Sequence, residues 1–294
     1  RLYAFALDGG KLRWSYDTNE ELGTRPVLAN GLVYVASLQD TVFAVDASTG
    51  AFKWHHRREA RSGFSIRGAA DVQVGDGRVF GGYSDGAQHS QCLWGTFAHL
   101  PGMKVVVPSN PYDAKGLMTA AIRDDNPVVY IFHKGVLGLP WMVKNPRAIA
   151  DVPVEAYEVP IGEAAVARAG KDVTVVTISL SVHHCLDVAE ALAPQGIDCE
   201  VIDLRSLVPL DRKAIVDSVA KTGRLVVVDE DYHSFGMSGE VVASVTDVDP
   251  SLLKAPAIRV ANPDVPVPYA HALEYAVLPR HDRIEAAVRK VVGA

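Results

Sequence analysis

The chain has 294 residues, of which 48% are hydrophobic and 22% are charged, a balance typical of a globular protein and not of a disordered or fibrous chain. Lys and Arg total 29 against 35 Asp and Glu, so the net charge of −6 excludes a broad basic surface for nucleic acid or anionic lipid. No stretch approaches the roughly 18 uninterrupted apolar residues of a membrane helix. The three cysteines, Cys92, Cys185 and Cys199, are spaced as reduced, buried thiols rather than as a disulfide framework.

The first 86 residues contain an internal repeat. Shifting the sequence by about 40 residues aligns 2–5 with 42–45 and 10–14 with 50–54, so that Trp14 and Trp54 coincide. Asn-Gly, Asp-Gly and Thr-Gly pairs separate the apolar runs, and such pairs favour hairpin turns. The sequence therefore predicts short antiparallel strands over 1–86, with the two tryptophans in equivalent environments.

The second copy of the repeat carries a recognisable motif. Residues 44–54, Ala-Val-Asp-Ala-Ser-Thr-Gly-Ala-Phe-Lys-Trp, resemble the A-x-D-x-x-T-G-x-x-x-W repeat of PQQ-type β-propellers. That resemblance implies a fragment of about two blades, of a kind found in exported proteins, and the quinone and calcium ligands of the quinoproteins are not recognisable. A lone β-meander is the simpler alternative.

The pattern changes at residue 87. Residues 1–86 are electrically balanced, so the net charge belongs to 87–294, where apolar β-branched runs alternate with amphipathic stretches. This alternation predicts an α/β fold with a mostly parallel sheet and helices on both faces, and a proline-containing linker at 134–159. The predicted strands are 104–107, 128–132, 173–178, 199–202 and 225–228, and the predicted helices are 112–122, 182–192, 211–220 and 238–245.

Six motifs in this second part occur in the order and at the spacing of one family. The part resembles the β subunit of the thiamine-diphosphate-dependent component of 2-oxoacid dehydrogenases of the pyruvate, branched-chain and acetoin types. The resemblance implies a partial transketolase-like pyrimidine-binding domain at 87–150 and a transketolase C-terminal-like domain at 151–294. The motifs are Gly-Ala-Gln-His-Ser-Gln (86–91), Pro-Gly-Met-Lys-Val-Val (101–106), Pro-Tyr-Asp-Ala-Lys-Gly-Leu (111–117), Ala-Ile-Arg-Asp-Asp-Asn-Pro-Val (121–128), Val-Ile-Asp-Leu-Arg (201–205) and Pro-Asp-Val-Pro-Val-Pro-Tyr-Ala (263–270).

His89 is the candidate catalytic residue. An imidazole that titrates near neutrality can move protons to and from oxygens of a reacting 2-oxoacid, and the resemblance places this histidine in the active-site channel. Without the motif, a histidine just before a helix start is more often a neighbour of the helix cap.

The end of the predicted helix 112–122 is a candidate cation site. Its last carbonyl groups have no intrahelical donors, and carbonyl oxygens suit a weakly hydrated monovalent cation. The resemblance implies K⁺ bound by the main chain of Ala121, Ile122, Asp124 and Asn126. A solvated helix end is the alternative.

The catalytic glutamate that the resemblance requires has no match upstream of His89. Glu20 and Glu21 lie in a polar turn and are not assigned to it. The resemblance further implies that Mg²⁺ and the diphosphate of the cofactor are held with a partner α subunit, and that the lipoyl acyltransferase of the complex is a second partner. The sequence thus predicts a β subunit with impaired activity. A propeller-type binding module, or a non-functional chimera, is the alternative.

Two further clusters of polar residues favour a structural role over a catalytic or metal-binding one. His183, His184 and Cys185 are adjacent on a predicted helix, point in different directions and favour a core position over a metal site. Asp229, Glu230 and Asp231 follow a buried strand and are expected at a subunit interface. The enzyme part predicts a cytoplasmic or matrix location.

Overall fold

The computed structural model describes residues 1–22, 25–37, 41–57, 70–75, 78–83, 90–136, 148–268 and 271–293, with only the backbone described at 70–75, 78–83, 271 and 272. The chain divides into two compact units. The first consists of Arg1–Gln91 with Pro266–Val277, and the second of Cys92–Val265 with Leu278–Ala294. Each unit has its own arrangement of strands.

The strands of the first unit pair antiparallel, as the sequence predicts. One pair joins β1 to β2, a four-stranded sheet has the order β3-β4-β5-β6, and another pair joins β7 to β8. The strands are β1 (Leu2–Phe5), β2 (Leu12–Tyr16), β3 (Val27–Ala29), β4 (Leu32–Ala36), β5 (Thr41–Asp46), β6 (Phe52–Arg57), β7 (Ala70–Gly75) and β8 (Arg78–Tyr83).

The two tryptophans of the repeat share a register but not an environment. Trp14 lies opposite Ala4 and Trp54 lies opposite Ala44, and each pairing is followed by a register shift. However, Trp14 is 9% exposed and Trp54 is 36% exposed. The expectation of equivalent environments was therefore wrong. The reason is that the Trp14 indole donates a hydrogen bond to the carbonyl oxygen of Ala47 (2.9 Å) and packs against the turn between β5 and β6.

A five-stranded sheet forms the centre of the second unit. Its order is β11-β13-β12-β15-β16, with β12, β13, β15 and β16 parallel and β11 antiparallel at the edge. Helices α3 and α7 contribute to one hydrophobic cluster on the sheet, and α4 and α5 contribute to another. The strands are β11 (Ala165–Arg168), β12 (Val173–Thr177), β13 (Cys199–Asp203), β15 (Leu225–Tyr232) and β16 (Ile258–Asn262), and the helices are α3 (Leu180–Leu192), α4 (Arg212–Thr222), α5 (Met237–Thr246) and α7 (His281–Val292).

A second, smaller sheet in the same unit has the order β10-β9-β14. Strands β9 (Lys104–Val106) and β10 (Val128–Tyr130) are parallel and flank α2 (Pro111–Arg123), while β14 (Ser206–Val208) pairs antiparallel with β9. Helix α1 (Trp94–Ala98) precedes β9. The β9–β14 pairing crosses the domain boundary predicted at 150/151, so the two predicted parts share one sheet.

The strands and helices predicted after residue 87 are all present, with ends that differ by a few residues. Of the predicted linker, residues 137–147 lie outside the described part, and 148–159 contain neither helix nor strand. The remaining helix, α6 (His271–Val277), belongs to the first unit. Among the described residues, none of the helices is both long and apolar enough to cross a membrane.

Candidate functional site

His89, the predicted catalytic residue, lies outside the described residues. The four predicted cation ligands are described, and they follow one another at the end of α2. The helix stops because Asp124 adopts extended backbone angles (φ −78°, ψ 136°), which leaves the last carbonyl groups without helical donors. The structure thus places Ala121, Ile122, Asp124 and Asn126 on one short exposed turn.

The side chain of Asp124 already has a cationic partner. Lys104 Nζ donates to Asp124 Oδ2, and the backbone N–H of Asn126 donates to Asp124 Oδ1 at 2.9 Å. These hydrogen bonds, that of Lys104 above all, lower the pKa of Asp124 to about 2. Because the Lys104 ammonium neutralises this carboxylate, a metal ion at the turn would depend on backbone carbonyl groups.

A buried polar network joins the start of α2 to the turn between β13 and β14. Arg205 forms an ion pair with Asp113, which is 1% exposed: Nε donates to Oδ2 at 3.0 Å, and Nη2 lies 2.8 Å from Oδ1. Arg205 has a left-handed backbone (φ 58°), which carries strain in a residue with a side chain. Ser109 donates to Asp203 Oδ2 at 2.5 Å, and burial raises the pKa of Asp203 to about 6. The network fixes α2 against the large sheet.

Asp229 lies at the carboxyl end of β15 and is fully buried. Its carboxylate accepts three hydrogen bonds, from Trp94 Nε1 (3.2 Å), the Asp231 N–H (2.9 Å) and the Ser238 N–H (3.0 Å). Burial nevertheless raises the pKa of Asp229 to about 7. Asp231 is 6% exposed and accepts from the Gly95 N–H. The interface role expected for these two residues was wrong, because both side chains are buried within the chain.

Glu230, between them, points to the opposite side and pairs with His133 at the end of β10. His133 Nε2 lies 2.8 Å from Glu230 Oε2, and Ser181 donates both its N–H and its hydroxyl to Glu230 Oε1. Burial alone would lower the pKa of His133, but the neighbouring Glu230 carboxylate raises it. The Gly135 N–H donates to His133 Nδ1 (2.9 Å), so protonation of that nitrogen would break this hydrogen bond.

Two of the three residues of the His-His-Cys run on α3 lie in the core position that the sequence favoured. His183 is buried, with Nε2 2.7 Å from the Ser109 carbonyl oxygen, and Cys185 is buried in the core. No set of three or more His, Cys, Asp or Glu suited to a metal ion occurs among the described residues. Sequence reasoning missed the Arg205–Asp113 and His133–Glu230 pairs, because their partners lie 92 and about 100 residues apart with no local pattern.

Comparison with known proteins identifies both parts of the α/β fold. Residues 162–284 match the transketolase C-terminal domain, and residues 29–140 match the transketolase pyrimidine binding domain. The chain therefore contains these two domains of the transketolase family. The second match begins at residue 29 rather than 87, so it includes strands assigned to the propeller fragment, and these matches give no support to a propeller.

Sequence relatives include β subunits of an oxidoreductase and of dehydrogenases. The chain is 44% identical over 214 residues to the acetoin:2,6-dichlorophenolindophenol oxidoreductase subunit beta of Cupriavidus necator, covering 73% of this chain and 61% of the relative. It is 42% identical over 212 residues to the 2-oxoisovalerate dehydrogenase subunit beta of Bacillus subtilis (72% and 62%). It is 41% identical over 212 residues to the human mitochondrial pyruvate dehydrogenase E1 component subunit beta (70% and 56%).

A solved structure shares the fold. A split gene transketolase, described as an inactive beta4 tetramer, superposes with a TM-score of 0.55 at 26% identity, covering 70% of this chain and 63% of that one. The chain spans about three fifths of the length of the curated relatives named above. The family to which these domains belong depends on thiamine diphosphate.

Neither glutamate described upstream of His89 fits the role of a carboxylate that acts on the pyrimidine ring of thiamine diphosphate. Three glutamates precede His89, and Glu59 lies outside the described part. Glu20 accepts hydrogen bonds from the hydroxyl groups of Ser37 and Thr41, the latter at 3.1 Å, and Glu21 is exposed. Glu20 lines a pocket together with Tyr16 and Phe43, but both oxygens of its carboxylate already accept hydrogen bonds from the two hydroxyl groups, so no reaction step is assigned to it.

Proposed function

We propose that the chain is the β subunit of a thiamine-diphosphate-dependent 2-oxoacid dehydrogenase, which decarboxylates a 2-oxoacid and transfers the acyl group to a lipoyl group. The observation that carries this proposal is the identity of 41–44%, over more than 200 residues, to the β subunits of an acetoin oxidoreductase, a 2-oxoisovalerate dehydrogenase and a pyruvate dehydrogenase. The parallel strands, in the order β13-β12-β15-β16, support it, since the matched C-terminal domain covers all four of them.

The proposal assigns four further roles. His89 exchanges protons with the reacting 2-oxoacid. The carbonyl groups of Ala121, Ile122, Asp124 and Asn126 bind K⁺. An α subunit supplies the diphosphate and Mg²⁺ site, and the lipoyl acyltransferase accepts the product. The activity of this chain is impaired because no carboxylate upstream of His89 matches the glutamate that activates the cofactor.

A second candidate concerns residues 1–86. The shared register of Ala4 with Trp14 and of Ala44 with Trp54 favours a repeated antiparallel unit of the propeller type, which would act as a protein-binding module. In that case the chain is a chimera of two proteins. The reading frame of the transcript across Asp85 to Gln88 distinguishes a natural junction from an artificial one.

Association with an α subunit tests the main proposal without depending on activity. The chain would be mixed with α subunits of acetoin, 2-oxoisovalerate and pyruvate dehydrogenases, and the mixtures separated by size. Co-elution with one of them as a stoichiometric complex is the expected result. Elution apart from all three α subunits would contradict the proposal, and a fragment of residues 1–86 serves as the negative control.

A further inference from the structure

The segment 151–158 lies against α2 with almost no backbone support. It contains neither helix nor strand, and Val154 is 92% exposed. Within the part of the chain that the structure describes, no backbone-to-backbone hydrogen bond joins this segment to another element. It nevertheless lies close to the helix, since a Cβ atom on Gly116 would be 2.4 Å from Val159 Cγ2 and 2.9 Å from Tyr157 Cε2. Side chains must therefore hold the segment in place.

The ammonium group of Lys115, on α2, is the centre of that attachment. Its Nζ atom donates to three successive carbonyl oxygens, those of Pro153, Val154 (3.0 Å) and Glu155 (2.9 Å). A lysine ammonium carries three N–H donors and no acceptor, so each donor has one carbonyl partner. Hydrogen bonds from a charged donor are roughly twice as strong as those between neutral groups.

An aromatic ring completes the surroundings of this ammonium. Lys115 Nζ lies 5.3 Å from the centre of the Tyr157 ring, within the range of a cation–π interaction. The Tyr157 ring stacks on Tyr112 at 4.6 Å between centres, and its hydroxyl donates to the Tyr112 carbonyl oxygen at 2.8 Å. The ring is therefore held in position from the helix side and faces the ammonium.

Three consecutive carbonyl dipoles aimed at one point repel one another unless a positive charge occupies that point. Carbonyl oxygens in such an array also replace the hydration shell of monovalent cations. We propose that Pro153, Val154, Glu155 and Tyr157 form a monovalent-cation cradle whose occupant is the ammonium of Lys115. The ligand class of this site is a primary ammonium ion or a cation of similar size. This inference is independent of the proposed function, because it concerns neither the cofactor nor the α subunit.

The attachment of segment 151–158 to α2 should therefore depend on the side chain at position 115. Lysine presents a compact point charge with three donors around one atom, whereas arginine spreads its donors over a planar guanidinium. In the wild-type chain the tethered ammonium keeps the segment closed against α2. Removing the charge while keeping the length, as in Lys115→Met, should release it.

Cleavage by a glutamate-specific protease after Glu155 measures this release, since the carbonyl of the bond to be cut is one of the three partners of Lys115. In Lys115→Met the rate at this bond should rise about tenfold, the equivalent of one charged hydrogen bond. Lys213→Met removes a lysine from the exposed surface of α4, where it pairs with Asp217, and should leave the rate unchanged. Equal rates in the wild type and Lys115→Met would overturn the proposal.

Rescue by a free cation tests whether the cradle recognises charge rather than the lysine stem. In Lys115→Ala, methylammonium should restore protection of the Glu155 bond in a saturable way, and tetramethylammonium, which has no N–H donor, should not. The wild-type chain, whose cradle is occupied, should respond to neither. If methylammonium and tetramethylammonium act alike on Lys115→Ala, the cradle does not bind ammonium and the proposal is wrong.

Discussion

Asp229 shows how burial outweighs hydrogen bonding at a single residue. Its carboxylate accepts three hydrogen bonds, each of which favours the ionised form, and its pKa is still raised to about 7 from an ordinary value of 3.8. Between about pH 4 and pH 7 the folded chain therefore holds a proton that the unfolded chain has lost. By linkage, the free energy of unfolding falls as the pH rises through this window.

The expected fall is up to about 4 kcal/mol, from roughly three pKa units at 1.36 kcal/mol each. Asp229→Asn should remove that part of the pH dependence, because the amide does not titrate. Urea unfolding at pH 5 and pH 8 measures the part of the fall above pH 5, about 3 kcal/mol. Asp217→Asn, on the exposed surface of α4, is the control and should keep the wild-type slope. An unchanged slope in Asp229→Asn would show that Asp229 is ionised throughout.

The sequence predicts the position of buried acidic residues such as Asp229, but not their hydrogen-bond partners. The acidic run 229–231 follows a buried strand and was correctly located at the carboxyl end of the sheet. The role of this run was not predicted correctly. The hydrophobic pattern of β15 does not indicate that Trp94 and Ser238 donate hydrogen bonds to Asp229. Contacts between residues that are distant in the sequence depend on how layers pack, and no local periodicity records them.

At the scale of elements, one glycine decides how β2 packs against the turn between β5 and β6. Gly50 has φ +73°, and a Cβ atom there would lie 2.7 Å from Trp14 Cδ2. Gly10 has a similar φ of +64° with nothing within 4 Å. Gly10→Ala should therefore cost about 1 kcal/mol from backbone strain alone, while Gly50→Ala should cost about 2–4 kcal/mol because overpacking is added.

Tryptophan fluorescence during urea unfolding would report this difference, since Trp14 is the residue displaced. The two variants carry the same substitution in the same backbone region, so the comparison isolates the contact with the indole. Equal losses of stability would mean that Trp14 moves aside without cost.

The pair between Arg205 and Asp113 connects two elements that the sequence assigned to separate domains. Asp113 is almost fully buried, so Arg205→Met would leave a carboxylate without its cation and should cost about 3 kcal/mol. Arg212→Met breaks a pair with Glu240 in which both side chains are about half exposed, and should cost less than about 1 kcal/mol. Urea unfolding of both variants, with Asp113→Asn to complete a double-mutant cycle, tests this. Similar costs would contradict the special role of the buried pair.

A separate prediction concerns K⁺ binding at the turn after α2. If backbone carbonyl groups bind K⁺, the melting temperature should be higher in potassium chloride than in tetramethylammonium chloride at equal ionic strength. Lys104→Met removes the ammonium that neutralises Asp124, and should enlarge the difference. Equal stability in the two salts, in both proteins, would show that the turn is only solvated.

Elements with strong patterns were predictable, and short ones were not. The β-branched runs of β12, β13 and β15 and the amphipathic helices between them follow from periodicity alone. Strand β14 has only three residues and precedes Pro209, so its sequence is typical of a turn. In the structure it completes the small sheet by pairing with β9. The predicted boundary at 150/151 ignored that pairing, which only the assembled sheet reveals.

At the scale of the whole molecule, the family match and the sequence repeat lead to different expectations for residues 29–86. The pyrimidine-binding match includes them, whereas their antiparallel pairing and 40-residue register follow the repeat. Under the proposed function, activity depends on which description is correct, because the glutamate that activates the cofactor is expected upstream of His89.

The last prediction is that this chain, alone or with a family α subunit, shows little 2-oxoacid decarboxylation. Replacing residues 1–85 by the corresponding segment of a β-subunit relative should restore turnover. His89→Ala in the restored protein should then lower it by about 10²–10⁴-fold, the usual contribution of a proton-transfer residue. Decarboxylation assays with pyruvate and 2-oxoisovalerate measure both effects. Normal turnover by the unmodified chain with an α subunit would disprove the missing-carboxylate argument, and Glu20, Glu21 and Glu59 would then have to be substituted in turn to find the activating group.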